Sequence, residues 1–266
     1  MTLDPAIAAA ERTEAARDLI ARARTETVHL VTVSALDLCT LDGPRQPLFD
    51  ERVTHAWLQV ADRRRRKLVE EVTAGMVQRG LLLGNTPQRG TGKDLDSHAL
   101  KPELGLMLAA RCRPTFIVTA AGEGPGLRPV NLFALGDQAE PVRGIVAELP
   151  AGLPPDRAAR YPGARKLGPL GWLYNYALVS PLNAAEILAR WTLRPPAQPG
   201  DAFPARYLVS AYRPDQEQPL GYHLRVRADG SRAVVDGLAG EYAGPPSFDL
   251  EGLQAVMLNL LTEASR

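Results

Sequence analysis

Apolar side chains between residues 50 and 80 recur three and four positions apart, as on the buried face of an amphipathic helix. Asp62 interrupts this region and has the chemistry of a helix cap, so the pattern predicts two consecutive helices, with the second over roughly residues 64–79. Gly80 follows as a residue that ends a helix readily. Further helices are predicted over residues 4–24, 102–110 and 182–191, and from residue 248 onward.

β-branched and alternating segments predict strands elsewhere. Residues 81–83 and 98–100 flank a polar, turn-rich stretch and predict a short hairpin, whereas residues 34–41 fit either a continued strand or a short helix. Asp229-Gly230 marks the turn of a second hairpin. The other predicted strands cover residues 27–32, 115–120, 129–135, 142–148, 173–179, 206–212, 221–227 and 232–235.

The prolines are unevenly distributed, with four of 23 in residues 1–101 and 19 after them. Because proline interrupts helices, the first part permits long helices and the remainder is expected to be rich in turns and short strands. The 266-residue chain is therefore predicted to be an α+β protein. We expect an N-terminal helix at residues 1–25, a winged-helix-like module at 26–120, and a mostly antiparallel twisted sheet with C-terminal helices at 121–266.

The charge balance, 31 basic and 30 acidic side chains, argues against a chain that coats nucleic acid or an anionic membrane. No apolar run reaches the roughly 18 residues of a membrane-spanning helix, and the first 24 residues lack the apolar region of a secretory signal. Cys39 and Cys112 are far apart, which suits a reducing compartment. We therefore expect a cytoplasmic protein with no membrane partner.

Basic side chains concentrate in residues 63–93, which hold eight basic and two acidic residues. Two helices followed by a polar hairpin are typical of a winged helix, and a basic helix start with a basic wing would contact phosphates on both sides of a groove. Alternatively, the arginine run is a solvated helix face whose stems cover apolar surface. The candidate nucleic-acid-binding residues are Arg63, Arg64, Arg65, Arg66, Lys67, Arg89 and Lys93.

No motif specifies a reaction, a metal or a cofactor. Gly90-Thr-Gly-Lys93 ends like a phosphate-binding loop, but Pro87 stands where that motif needs its first glycine and Asp94 follows the lysine. None of the four histidines lies at ligand spacing from another ligand, and no Gly-x-Ser-x-Gly motif is present. Cys112 is interpreted as a small buried residue rather than as a reactive thiol between two arginines.

Three aromatic residues follow glycine and proline in residues 168–176. Tryptophan and tyrosine are favoured anchors at protein interfaces, and loops often carry recognition. Their spacing of two fits one face of a half-buried strand equally well. Trp172, Tyr174 and Tyr176 are therefore candidate protein-binding residues and, on the alternative interpretation, core residues.

Several short motifs occur in a characteristic order along the chain: Ser34-Ala-Leu-Asp-Leu38, Pro47-Leu48, Asp50-Glu-Arg52, Arg79-Gly-Leu-Leu82, Lys101-Pro-Glu-Leu104, Ala110-Arg-Cys-Arg-Pro114 and Glu148-Leu-Pro150. This order resembles the EspG-type chaperones of actinobacterial type VII secretion, although the helical stretch between residues 52 and 79 is longer here. The resemblance implies a mixed α/β cytosolic chaperone without catalysis. Such a protein binds the tip of a helical secretion substrate with its sheet and a helical subdomain.

The leading hypothesis from the sequence is a non-catalytic adaptor or chaperone that binds another protein, associated with secretion. The alternative is a winged-helix transcriptional regulator that binds DNA through residues 63–93 and uses the rest of the chain to bind an effector or to dimerise. A third hypothesis is an enzyme whose site is assembled from distant residues, with Asp94, Asp96, His98 and Cys112 around one pocket. The sequence leaves a homodimer open and does not identify the partner.

Overall fold

The computed structural model describes residues 5–11, 13–41, 50–83, 99–123, 128–136, 144–151, 167–193, 206–213, 220–226, 230–236 and 246–266. The chain forms two compact units. The first contains residues 1–22, 28–113 and 150–177, and the second contains residues 23–27, 114–149 and 178–266. The chain returns to the first unit at residue 150.

Helices and strands are interspersed along the described residues. The helices are α1 (Pro5–Glu11), α2 (Glu14–Arg22), α3 (Ala35–Leu41), α4 (Glu51–Leu58), α5 (Asp62–Gln78), α6 (Pro102–Cys112), α7 (Pro181–Thr192) and α8 (Leu250–Ala264). The strands are β1 (Val28–Ser34), β2 (Leu82–Leu83), β3 (Ala99–Leu100), β4 (Ile117–Gly122), β5 (Val130–Leu135), β6 (Gly144–Ala151), β7 (Leu173–Val179), β8 (Arg206–Tyr212), β9 (Leu220–Val226), β10 (Ala233–Asp236) and β11 (Ser247–Phe248). The mixed α+β class predicted from the sequence is confirmed.

The first unit is mainly helical, and α1 packs on α6 beside α2. Residues 4–24 were expected to form one helix, but the structure has two. The second begins after Thr13, whose hydroxyl accepts a hydrogen bond from the Ala16 N–H at 3.2 Å. A threonine that accepts this bond caps the N-terminus of a helix, so a second helix starts at this point.

The two helices predicted over residues 50–80 are present as α4 and α5. The cap predicted at Asp62 is wrong, because α5 begins at this residue and Ala61 precedes it without a side-chain cap. Gly80 has a φ of +64°, the left-handed conformation that ends helices. β2 and β3 pair antiparallel, with Leu82 opposite Leu100. The elements of residues 51–100 thus follow the predicted order, while the winged-helix assignment stays a prediction.

The second unit is built on antiparallel strands in the order β6-β5-β4-β8-β9-β10-β11. β1 and β7 are neighbouring strands. The two C-terminal helices, α7 and α8, pack together, and both contact strands of the second unit. The apolar side chains of α8 that are buried include Leu253, Val256, Met257, Leu260 and Leu261.

Side-chain caps fix the starts of both C-terminal helices. The Asp249 carboxylate accepts from the Gly252 N–H at 3.0 Å and caps α8, as expected for a helix that begins near residue 248. Asn183 was the predicted cap of α7, but that prediction is wrong. The cap is Ser180, whose hydroxyl accepts from the Asn183 N–H at 3.2 Å, so α7 begins at Pro181, one residue before the predicted start.

Candidate functional site

Buried and exposed side chains alternate along β8 except at Ser210, which is buried although it shares a face with Leu208 and Tyr212. Tyr207, Val209 and Ala211 are buried on the face that α8 contacts. On the other face of β8, Leu208 is 40% exposed and Tyr212 is 36% exposed. Leu208 and Tyr212 are thus large side chains that stay partly exposed on the second face of β8.

The register of the neighbouring strands extends this exposed surface sideways. Leu208 lies opposite Ala121 of β4 on one side and opposite His223 of β9 on the other. His223 in turn lies opposite Asp236 of β10. We call this surface the open face and define it by its exposed or half-buried side chains: Ala121, Glu123, Arg206, Leu208, Tyr212, His223, Arg225, Val234 and Asp236.

Charged side chains of both signs lie at one end of the open face. Arg206 and Arg225 lie directly opposite each other on β8 and β9. Arg225 forms an ion pair with Asp236, with 3.3 Å between Nε and Oδ2. On the other side of Arg206 lies the exposed Glu123, whose N–H donates to the Arg206 carbonyl at 3.0 Å. Two arginines and two acidic residues therefore lie together at this end of the sheet.

A polar row continues from the open face into the buried part of the sheet. Register aligns Ser210, Thr119, Asn131 and Glu148 on four successive strands. The Thr119 hydroxyl donates to Asn131 Oδ1 at 2.8 Å, and Asn131 Nδ2 donates to Glu148 Oε1 at 2.7 Å. Asn131 and Glu148 are buried, so their hydrogen bonds fix the pairing of β4, β5 and β6.

Sequence reasoning did not find the open face or the polar row. Their members come from segments tens of residues apart and meet only through strand register. The available signal was single polar residues within apolar strands, such as Asn131 within β5 and Glu148 within β6. That signal marks a residue as unusual, but it does not show which other residue it meets.

The predicted nucleic-acid-binding residues fall into three groups. Arg63, Arg64, Arg66 and Lys67 are exposed on the first turns of α5, where Lys67 pairs with Glu71 at 3.7 Å. Arg89 and Lys93 lie outside the described residues, as do Asp94, Asp96 and His98 of the enzyme hypothesis. Arg65 differs from its neighbours and has an evident structural role.

Arg65 turns back from α5 to close the end of α4. Its Nη2 donates to the backbone carbonyls of Trp57, Leu58 and Val60 at 3.3, 3.2 and 2.9 Å. Its guanidinium also lies over the Trp57 ring, 5.4 Å from the centroid. The carbonyls at a helix C-terminus lack partners within the helix, and a cation there is favourable. One member of the arginine run therefore has a structural role.

The three aromatic candidates do not form one exposed patch. Tyr174 and Tyr176 are buried in the first unit, and the Tyr176 hydroxyl accepts from Arg111 Nη1 at 3.1 Å. Trp172 is half-buried, and the Arg52 guanidinium lies 4.6 Å from its ring centroid. The burial of both tyrosines fits the alternative interpretation of this segment as a core strand.

The Asp50–Arg52 pair holds this cation–π contact in place. Asp50 Oδ2 lies 2.6 Å from Arg52 Nη2, and the hydrogen bond from Arg52 to Asp50 raises the pKa of the Arg52 guanidinium. Asp50 Oδ1 also accepts from the Arg52 N–H at 2.9 Å, which caps α4. Arg52 is thus fixed as a cation at the start of α4, with its flat guanidinium directed at Trp172.

Among the described residues, no group of three or more histidine, cysteine or acidic side chains is arranged to hold a metal ion. Cys39 is buried, Cys112 is half-buried, and no disulfide joins them. None of the helices in the described ranges combines the length and the apolar character needed to cross a bilayer.

Comparisons with family models, with curated proteins and with solved structures found no match to this chain.

Proposed function

We propose that this protein is a non-catalytic adaptor or chaperone that binds another protein in the cytoplasm through the open face. The observation that carries the proposal is the exposure of Leu208 and Tyr212 on a sheet whose other face is packed under helices. The buried side of β8 holds the strand in place. The partner would therefore meet a surface that is already ordered, and association would cost little conformational entropy.

The resemblance to EspG-type chaperones supports a helical secretion substrate as the partner. In that interpretation the sheet of the second unit supplies the docking surface. The shared motifs have structural roles in the first unit: Asp37 pairs with Arg79 at 2.8 Å, and Arg52 contacts Trp172. Motifs that stabilise a scaffold are expected to persist among chaperones whose recognition surfaces differ.

The experiment is affinity capture with in-cell crosslinking in the source organism, comparing the wild type with Leu208→Asp. A charge at this position should abolish capture of the partner, because desolvating the carboxylate at an apolar contact is costly. The matched control is Leu182→Asp, since Leu182 is a 55% exposed leucine on α7 and not part of the open face. The proposal fails if both variants capture the same proteins as the wild type.

DNA binding is the second candidate function. It is favoured by the exposure of Arg63, Arg64, Arg66 and Lys67 at the start of α5, ahead of the β2–β3 hairpin. Contacts with phosphates release counterions, so affinity for a duplex should fall steeply as salt rises. Replacing Arg63, Arg64 and Arg66 with glutamine should flatten that dependence. A wild-type protein that gives no salt-sensitive shift of duplex DNA at low ionic strength would eliminate this candidate.

A further inference from the structure

We propose that the open face binds a carboxamide, the side chain of a glutamine or an asparagine, on an otherwise apolar segment of its partner. The carboxamide would enter a notch, which we define by Thr119, Ser210 and Gly221. Apolar side chains on either side of it in the partner segment would contact Leu208 and Tyr212. This inference rests on the proposed function, because it specifies the chemistry of the partner at the same surface.

The first step is the shape of the notch. Ser210 lies opposite Thr119 of β4 on one side and opposite Gly221 of β9 on the other, so the three residues form one row across the sheet. Leu208 and Tyr212, two residues before and after Ser210, lie on the same face of β8 and carry much larger side chains. The row is therefore lower than its neighbours along β8. It stays accessible because Gly221 is exposed and Thr119 is half-buried.

The second step is the hydroxyl of Ser210, at the centre of the notch. Ser210 is only 4% exposed, yet its hydroxyl forms no hydrogen bond with any described residue. A hydroxyl that is withdrawn from water without a partner is unfavourable, so a group that enters the notch and pairs with it is favoured. A Cβ atom at Gly221 would lie 3.2 Å from the Ser210 oxygen. The glycine therefore leaves this hydroxyl uncovered on the β9 side.

The third step is the direction of the hydrogen bonds in the polar row. The Thr119 hydroxyl donates its proton to Asn131 Oδ1 at 2.8 Å, and Asn131 Nδ2 donates in turn to Glu148 Oε1 at 2.7 Å. The Thr119 oxygen can therefore only accept a further hydrogen bond, whereas the Ser210 hydroxyl can donate one. A group that enters the notch meets an acceptor at Thr119 and an available donor at Ser210.

A carboxamide matches this pair of hydroxyls, because its N–H donates and its C=O accepts through separate atoms. A carboxylate has no proton for Thr119, and an ammonium group cannot accept from Ser210. An aliphatic side chain would leave both hydroxyls without a new partner in a contact that excludes water. A neutral polar side chain between apolar ones is therefore the favoured occupant.

The test selects binders from a library of random peptides displayed on phage, with the immobilised full-length protein as the target. The wild type should enrich peptides in which glutamine or asparagine lies between apolar residues. A synthetic copy in which leucine replaces that residue should bind about threefold to tenfold more weakly, the factor expected for one hydrogen bond. Enrichment with no preference for an amide residue would overturn the proposal, and so would failure to enrich any peptide.

Ser210→Ala should weaken binding of the amide peptide by a similar factor without weakening binding of its leucine copy. The ratio of the two affinities therefore reports the hydrogen bond rather than a general change in the sheet. Ser265→Ala is the matched control, because it removes the hydroxyl of an exposed serine at the end of α8, outside the open face. If Ser210→Ala leaves the ratio as it is in the wild type, the proposal is overturned.

Leu208→Asp separates the failure of this proposal from the failure of the proposed function. If the selected peptides lack an amide residue but no longer bind Leu208→Asp, the carboxamide specificity fails while protein binding at the open face stands. If Leu208→Asp binds them as the wild type does, the peptides bind elsewhere and both proposals fail. Analytical ultracentrifugation tests the remaining occupant. A wild-type dimer that Leu208→Asp dissociates would assign the notch to a second copy of this chain and overturn the proposal.

Discussion

Arg79 donates hydrogen bonds to both carboxylate oxygens of Asp37, from Nη2 to Oδ1 at 2.8 Å and from Nη1 to Oδ2 at 3.3 Å. Asp37 also accepts from the Ser34 N–H at 2.7 Å, and the Ser34 hydroxyl accepts from the Asp37 N–H at 3.0 Å. This reciprocal pair is a capping box at the start of α3. The buried Asp37 carboxylate therefore caps one helix and holds the residue that follows α5.

Replacing Asp37 with alanine should destabilise the protein by about 2–4 kcal/mol, through the lost cap and the lost charge-assisted hydrogen bonds. The measurement is urea unfolding followed by circular dichroism. Asp18→Ala removes an exposed acid from α2 and should change the free energy of unfolding by less than about 0.5 kcal/mol. Similar losses in the two variants would show that the Asp37–Arg79 pair contributes little.

Arg65→Ala should destabilise the protein by about 1–2 kcal/mol, because three carbonyls at the end of α4 lose a shared donor. Arg64→Ala, the exposed neighbour, should leave the free energy of unfolding within about 0.5 kcal/mol of the wild type. Chemical denaturation of both variants checks this. If Arg64→Ala lowers the free energy of unfolding more than Arg65→Ala does, the structural role assigned to Arg65 is wrong.

Gly105→Ala should be destabilising, because a methyl group on this α6 residue would overlap the Ala10 side chain of α1. Overpacking of this kind costs about 1–3 kcal/mol. Gly75→Ala in α5 provides the opposite control, since a methyl group there meets open space. That variant should gain about 0.5–1 kcal/mol from the higher helix propensity of alanine. Thermal melting of both proteins should show shifts of opposite sign.

Tyr222→Phe should reduce the loss of stability at alkaline pH. Burial, and then the charge of Glu263, raise the pKa of Tyr222 above its ordinary value of 10.0. The unfolded chain therefore ionises first, so the stabilisation is complete below pH 10.0 and is lost as pH rises through the folded-state pKa. Free energies of unfolding at neutral pH and above pH 10 would check this. Wild type and variant with the same pH dependence would contradict it.

Local chemistry made many of the elements predictable from the sequence. Apolar periodicity located α4 and α5, and β-branched segments located β4 and β8 with errors of no more than two residues. Caps were harder to assign, because Ser180 and Asn183 are both suitable residues within one turn of each other. Backbone geometry decides which of them begins the helix.

The open face could not be predicted for a different reason. Leu208 and His223 are unremarkable in their own strands, and only the β8–β9 register places them side by side. A shift of one residue in that register would place Leu208 opposite a residue of the other face. The structural role of Arg65 could not be predicted for a similar reason. The sequence of an arginine run is the same whether a given side chain faces solvent or binds the end of a neighbouring helix.

The interleaving of the two units has a consequence for how the chain can be divided. The first unit needs residues up to 177, while the second draws on residues from 23 onward. No single cleavage point separates them, so any truncation removes part of at least one unit. On the ribosome, the helices of the first 113 residues must wait for residues 150–177 before their unit is complete. Until then, these helices expose apolar side chains that chaperones can bind. The expression yield should therefore depend on how fast residues 150–177 are synthesised.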